Sequence, residues 1–321
     1  MERFRHEKER RYATARNSYG KRGLDMESYI GINSQQYFAF NIWSIQSAKA
    51  VMDAAAQEKQ NVILQTSMKA FVQLDKEELA AYVKSYGKKK NIRAYLHLDH
   101  CRKLEYIRQA VEYGWDSVMI DASDKTIEEN IQITNEVTDI AQKKGILVEA
   151  EVGQICGQED EAAFVTTGLA AMEDIALFLR NTDIDMLAAA VGTVHGLYTG
   201  IPRIHYDMIS AIARITKIPF VVHGGTGLSD EILLRLLSHD NVKKINISTD
   251  VKLAYRNGIE ACIHTGKMGK EGFNPLEIEK SIHDAIRDMA VGKMRLTERA
   301  DKSEDNTCTE YGNEKHTKYS V

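Results

Sequence analysis

Arg93-Ala94-Tyr95-Leu96-His97-Leu98-Asp99-His100 is a short apolar run that ends in polar residues, and a segment of helical periodicity, Leu104–Val111, follows it directly. The run predicts a buried strand over Arg93–Leu98, and the 3.6-residue spacing after it predicts a helix. The same unit recurs on both sides. Strands are predicted at Tyr37–Asn41, Asn61–Gln65, Ser117–Ile120, Leu147–Glu151, Ile184–Val191, Pro219–Val222 and Lys244–Ile247. The helices between them cover Ala48–Ala55, Lys76–Ser85, Ile127–Ala141, Ala170–Leu179, Tyr206–Ile215, Ile232–Leu237 and Val251–Cys262, and a last helix covers Leu276–Met294.

Strictly alternating strands and helices imply a parallel sheet, because each return to a parallel neighbour needs a crossover. Eight such units predict an α/β fold, a (β/α)8 TIM barrel with extra terminal helices. An open doubly wound sheet is the competing fold. It does not readily bring polar residues from all eight strand ends together.

The expected organisation has three parts. Residues 1–28 form a basic N-terminal extension, residues 29–296 the barrel, and residues 297–321 a polar tail expected to be disordered. Within residues 1–22 there are eight Lys/Arg and three Glu. The acids Glu2, Glu7 and Glu9 count against a transit peptide.

Composition excludes several classes. The 321 residues are 43% hydrophobic and 27% charged, as in an ordinary globular protein. A formal net charge of -4 gives no global field to attract nucleic acid. No apolar run is long enough to span a bilayer. The cysteines, Cys101, Cys156, Cys262 and Cys308, show no paired spacing. They read as reduced thiols of a cytoplasmic protein. Cys101 follows His100, but neighbouring strand residues face opposite sides, which argues against Cys101 as a ligand beside it.

In such barrels chemistry gathers at the C-terminal strand ends. Read in order, those ends carry Asn41, Gln65 with Ser67, Asp99 with His100, Asp121 with Ser123, Glu149 with Glu151, His195, His223, and Asn246 with Ser248 and Thr249. One polar residue after a strand is ordinary loop composition. Histidines at the ends of the third, sixth and seventh strands point together to a catalytic zinc site, in which three imidazoles leave a position open. His97 lies deeper in its strand, and a structural role is expected for it. Gly196 and Gly224-Gly225-Thr226-Gly227 follow two of the histidines. Glycine lets an anion approach the backbone, and Ser248 and Thr249 stand at a helix start that favours a phosphate. Plain turn chemistry is the alternative for the glycines. The Gly153–Glu161 loop reads either as solvated surface or as a lid that brings a carboxylate to the site.

These segments resemble the class II, zinc-dependent ketose-bisphosphate aldolases of the fructose and tagatose types. The resemblance rests on Ala39-Phe40-Asn41, His97-Leu98-Asp99-His100, Met119-Ile120-Asp121, Glu149-Ala150-Glu151-Val152-Gly153, Gly192 to Tyr198, His223 to Gly227 and Lys244 to Asp250, in family order. It implies that His100, His195 and His223 hold Zn2+, and that Glu151 serves a displaced or second metal. It also leaves room for a monovalent cation. Asp99 matches the residue that exchanges a proton with the C4 hydroxyl. Glu159 matches the loop carboxylate that exchanges a proton at carbon. Gly196, Gly224, Thr226, Ser248 and Thr249 match a phosphate pocket, and Asn41, Ser67 and Asn246 match polar contacts around the substrate.

The implied activity is reversible cleavage of a ketose 1,6-bisphosphate to dihydroxyacetone phosphate and an aldehyde such as glyceraldehyde 3-phosphate, by a homodimer or homotetramer. A dipositive metal would stabilise the enediolate charge as a Lewis acid. Three departures from the family pattern stand out. Gly31 to Gln36 replaces the usual N-terminal helix end, the loop from Glu159 to Phe164 looks short, and Ala122 stands where Gly is usual. Other readings stay open: aldol cleavage of another ketose phosphate, a zinc-dependent sugar-phosphate epimerase, or a non-catalytic barrel that binds sugar phosphate.

Overall fold

The protein was analysed as a computed structural model. The structure describes residues 35–159, 162–164, 169–198, 200–268 and 273–310; the side chains at 156, 158, 159, 162–164 and 301–310 fall outside the description. The basic extension, residues 1–28, lies outside the described residues as well.

In chain order the strands are β1 Tyr37–Asn41, β2 Val62–Ser67, β3 Ala94–Cys101, β4 Ser117–Ile120, β5 Leu147–Val152, β6 Cys156–Glu159, β7 Ala162–Phe164, β8 Met186–Ala189, β9 Val194–His195, β10 Phe220–Val222 and β11 Val242–Ile247. The helices are α1 Ile45–Glu58, α2 Met68–Gln73, α3 Lys76–Lys90, α4 Leu104–Glu112, α5 Ile127–Ala141, α6 Met172–Asn181, α7 Tyr206–Ile215, α8 Asp230–Leu237, α9 Thr249–His264 and α10 Pro275–Glu310. Eight strands close a barrel in the order β1-β11-β10-β8-β5-β4-β3-β2. The fold is the expected (β/α)8 TIM barrel.

Capping residues set the helix starts. Ser44 and Thr126 form capping boxes ahead of α1 and α5, and Asp75 caps α3. Outward-facing strand residues such as Phe38, Phe40, Val148 and Phe220 pack with Trp115, Phe71 and Phe178 under the helices. Each such aromatic or branched side chain stabilises the fold by about 1.5–3 kcal/mol on burial. The inward faces differ. Gln65, His97, Asp99, Glu149, Glu151, Lys244 and Asn246 are all buried, so the barrel axis is polar.

Three features depart from expectation. A small second sheet, β7-β6-β9, stands apart from the barrel. The sixth barrel strand is only Met186–Ala189, shorter than the apolar run around it. Helix α10 continues to Glu310, into the 297–321 tail that was expected to be disordered; residues 311–321 of that tail lie outside the described residues. Glu298-Arg299-Ala300 is polar but made of good helix formers.

Candidate active site

His100, His195 and His223 meet at the C-terminal mouth of the barrel, each offering a ring nitrogen within 4.8 Å of the others. His223 follows β10, and His195 ends β9. His100 comes near the end of β3 with φ of 45°. The β3–β4 register shifts between Leu98 and Cys101. This left-handed step breaks the strand alternation, so Asp99 and His100 both face the mouth. Cys101 is buried in the outer core, with its Sγ donating to the Lys103 carbonyl at 3.3 Å. Burial pushes its thiol up to about 11, which suits packing better than ligation.

Carboxylates hold two of the rings from behind. His223 Nε2 lies 2.9 Å from Glu149 Oε1, and His100 Nδ1 lies 3.4 Å from Asp121 Oδ2. Asp121 is itself fixed by Arg102 Nη2 at 2.8 Å and by the Ser123 hydroxyl at 2.7 Å. Burial opposes ionisation of both acids. For Glu149, Lys244 and the His223 hydrogen bond outweigh it; for Asp121, His100 and Arg102 do. Both carboxyls therefore stay well below the usual carboxylate range.

With their protons assigned toward these carboxylates, His223 Nδ1 and His100 Nε2 present lone pairs to each other across 2.7 Å. Two lone pairs at that distance repel unless a proton or a cation lies between them. Burial, followed by the neighbouring His100, lowers His223 to about 4, so near neutral pH its ring is available as a ligand. Three imidazoles, two of them with an outer carboxylate on the second nitrogen, are the kind of donor set that zinc sites use. Glu151 Oε2 sits 4.0 Å from both His100 Nδ1 and His223 Nδ1.

Asp99 is buried beside this cluster. Its oxygens accept from Gln65 Nε2 at 3.0 Å and Asn246 Nδ2 at 3.2 Å. Gln65 also donates to Asn41 Oδ1 at 2.6 Å. The carboxylate is thus clamped, with its lone pairs partly committed. His97 lies one layer down, its Nδ1 2.8 Å from Ser117 Oγ.

An adjoining pocket is lined by Asn41, Ser67, Gly196, Gly224, Thr226, Asn246, Ser248 and Thr249, together with His195 and Lys252. Thr226 Oγ1 accepts from the Ser248 and Asp250 amides at 3.2 and 3.4 Å, which ties the loop after β10 to the start of α9. Gly224 has φ of 71°, and a Cβ there would lie 2.2 Å from the Val194 carbonyl. Glycine is therefore what lets this loop lie against the His195 strand. Helix N-terminal amides, hydroxyls and the Lys252 ammonium suit an anion.

Sequence reading had placed Gln65 at a strand end without a role, and had not singled out Lys252, Lys244 or Arg102. Lys252 stands three residues after Thr249 on α9, hence on the same helix face; that spacing was the available signal.

The loop after β5 forms a hairpin of β6 and β7. Parallel pairing aligns Gly157 with His195. Glu159 pairs with Ala162 within the hairpin; its carboxylate lies outside the described side chains.

The fold and its mouth define a barrel protein with a candidate metal centre beside an anion pocket. The family model described as fructose-bisphosphate aldolase class-II matches residues 29–302. A fructose-bisphosphate aldolase of Geobacillus stearothermophilus is 34% identical over 259 residues, covering 80% of this chain and 89% of that protein. Among solved structures, the YdjI aldolase of Escherichia coli superposes with a TM-score of 0.71 at 26% identity, covering 85% of this chain and 97% of that one. A Campylobacter jejuni fructose-bisphosphate aldolase shares the fold, with a TM-score of 0.69 at 20% identity over 83% of this chain and 92% of that one. The chain belongs to the class II fructose-bisphosphate aldolase family. It is accordingly an aldehyde-lyase. None of the described helices is long and apolar enough to cross a membrane.

Proposed function

We propose that this enzyme reversibly cleaves a ketose 1,6-bisphosphate of the fructose or tagatose type, giving dihydroxyacetone phosphate and an aldehyde such as glyceraldehyde 3-phosphate. The observation that carries the proposal is the meeting, at one barrel mouth, of a three-imidazole cluster, a clamped carboxylate and an anion pocket. His100, His195 and His223 would hold a zinc ion, with Glu151 placed for a displaced or second metal. Bound there, the metal supplies Lewis-acid stabilisation of the charge that develops on the substrate carbonyl.

The chain's own residues do the rest. Asp99 accepts the C4 hydroxyl proton as the C3–C4 bond breaks, and the bonding electrons pass toward the C2 carbonyl. General base catalysis of this kind contributes about 10²–10⁴-fold. Gln65 and Asn246 hold Asp99 at its post. Glu159 returns a proton to the C3 carbanion, the C1 carbon of the product ketone once it is renumbered. Gly196, Gly224, Thr226, Ser248, Thr249 and Lys252 grip the phosphate, while Asn41, Ser67 and Asn246 border the sugar chain. Buried Cys101 and Cys262, unpaired as thiols, favour a cytoplasmic setting, and a homodimer or homotetramer is the expected assembly.

The test is a coupled assay of triose release from fructose and tagatose bisphosphates, run side by side. Activity that falls to background in His195→Ala and in a strong chelator, and returns with zinc, supports the proposal. Full activity in the chelator refutes it. Turnover without triose release would favour an epimerase on the same barrel.

A further inference from the structure

We infer that Lys244, a fully buried lysine at the barrel axis, is a positioning residue for the metal centre, acting through Glu149 on His223. The inference rests on the metal reading above and extends it one residue inward. Lys244 is 1% exposed and lies on β11. Its Nζ is 2.7 Å from Glu149 Oε2, and the other oxygen of the same carboxylate takes His223 Nε2 at 2.9 Å. The three groups form one line from the barrel axis to the mouth: ammonium, carboxylate, imidazole.

Each link constrains the next. A carboxylate held at one oxygen by a fixed ammonium is fixed in orientation, so its other oxygen is aimed as well. Glu149 is wholly buried, and His97 Nε2 lies 3.6 Å from its Oε2, beyond hydrogen-bond range. Lys244 thus holds Oε2 and turns Oε1 toward the His223 ring. An acceptor on Nε2 keeps the His223 proton there and leaves Nδ1 as the lone pair facing His100. A ligand's second nitrogen bonded to a carboxylate also makes the ligand more basic. Asn246, two residues on and on the same inward face of β11, donates to Asp99 at 3.2 Å. A single strand thereby steadies both the metal side and the base side of the mouth.

A purely structural lysine would only offset the burial of Glu149. The two roles separate when zinc affinity of the apo-protein, by competition with a chromophoric chelator, is measured beside its thermal stability. Lys244→Met should bind zinc about 10–100-fold more weakly than wild type, the usual effect of losing an outer-shell partner. That variant leaves an uncompensated buried acid and could fail to fold, so the decisive protein is the double variant Lys244→Met/Glu149→Gln. It leaves neither position of the pair charged and should melt near wild type. It should still bind zinc at least about 10-fold more weakly, because an amide does not raise the basicity of His223 as a carboxylate does. Zinc affinity within twofold of wild type in the double variant would overturn the inference. Wild-type protein that takes up no zinc overturns the metal reading and this inference with it. Normal zinc uptake by wild type with unchanged affinity in the variant sinks the inference alone.

Discussion

Asp99 and His100 are consecutive on β3, yet both side chains enter the same mouth, because His100 adopts φ of 45°. A regular strand would send one of them into the outer core. The backbone step therefore lets one short segment present both a carboxylate and an imidazole to the mouth. A left-handed conformation costs a residue with a Cβ about 1–2 kcal/mol. His100→Gly should accordingly give an apo-protein about 1 kcal/mol more stable than His100→Ala, since only glycine takes this φ freely. Denaturant melts of the two variants decide it; equal midpoints would count against the strain.

Asp99→Asn keeps the size of the side chain and removes its charge. The catalytic constant should fall about 10²–10⁴-fold. Zinc content, measured by mass spectrometry, should stay at the wild-type level, because Gln65 and Asn246 hold the Asp99 side chain in place and the ring nitrogens of the three-histidine cluster are unchanged. Loss of metal in this variant would mean that the division of labour is wrong.

Gly157 is where the β6–β7 hairpin meets His195, and a Cβ there would lie 2.3 Å from the His195 carbonyl. Gly157→Ala should lift the hairpin off β9. Turnover should drop and protease cleavage within the hairpin should rise, with little change in the melting temperature, because the barrel core is untouched. A variant with wild-type turnover and unchanged proteolysis would show that the hairpin does not depend on this contact.

Ligand linkage gives a test that needs no substrate. Zinc at about 100 times its dissociation constant should stabilise the native state by about 2.7 kcal/mol. His195→Ala should lose most of that stabilisation while its apo-protein melts normally. Differential scanning of each protein with and without zinc reads both effects.

Asp116 gives a pH signature away from the mouth. Burial raises its carboxyl from 3.8 to about 6, although it accepts the Leu96 amide at 2.8 Å. Below 3.8 both native and unfolded chains hold the proton. Between 3.8 and about 6 only the native chain keeps it, so this group's contribution to stability falls as pH rises, and is lost above about 6. The loss should amount to about 1–3 kcal/mol, reduced by partial exposure to solvent. Asp116→Asn should remove that slope, so its stability relative to wild type should be greater at pH 7 than at pH 4. Parallel slopes for the two proteins would reject the assignment.

Much of the architecture was legible because apolar runs and helical spacing report on the outer core, where Phe40, Val148 and Phe220 sit. The three histidines were legible as strand-end residues. The step at His100 was not, since a positive φ at a residue other than glycine leaves no compositional mark. The same alternation rule that set Cys101 aside also placed Asp99 and His100 on opposite faces, and only the backbone resolves that conflict. Lys244 escaped notice because lysine usually signals exposure. Its period-2 relation to Asn246 was nevertheless present in the chain. The hairpin pairing with β9 depends on contacts between segments far apart in sequence, which periodicity within either one cannot express.

The polar barrel axis divides the molecule's evolutionary freedom. The apolar layer between sheet and helices can drift through volume-matched exchanges and leave the mouth undisturbed. Along the axis, one substitution at Lys244 or Glu149 is felt several ångströms away, at His223. New specificities would then be reached more readily by changing the rim, such as Lys252 or Ser67, than by relining the interior.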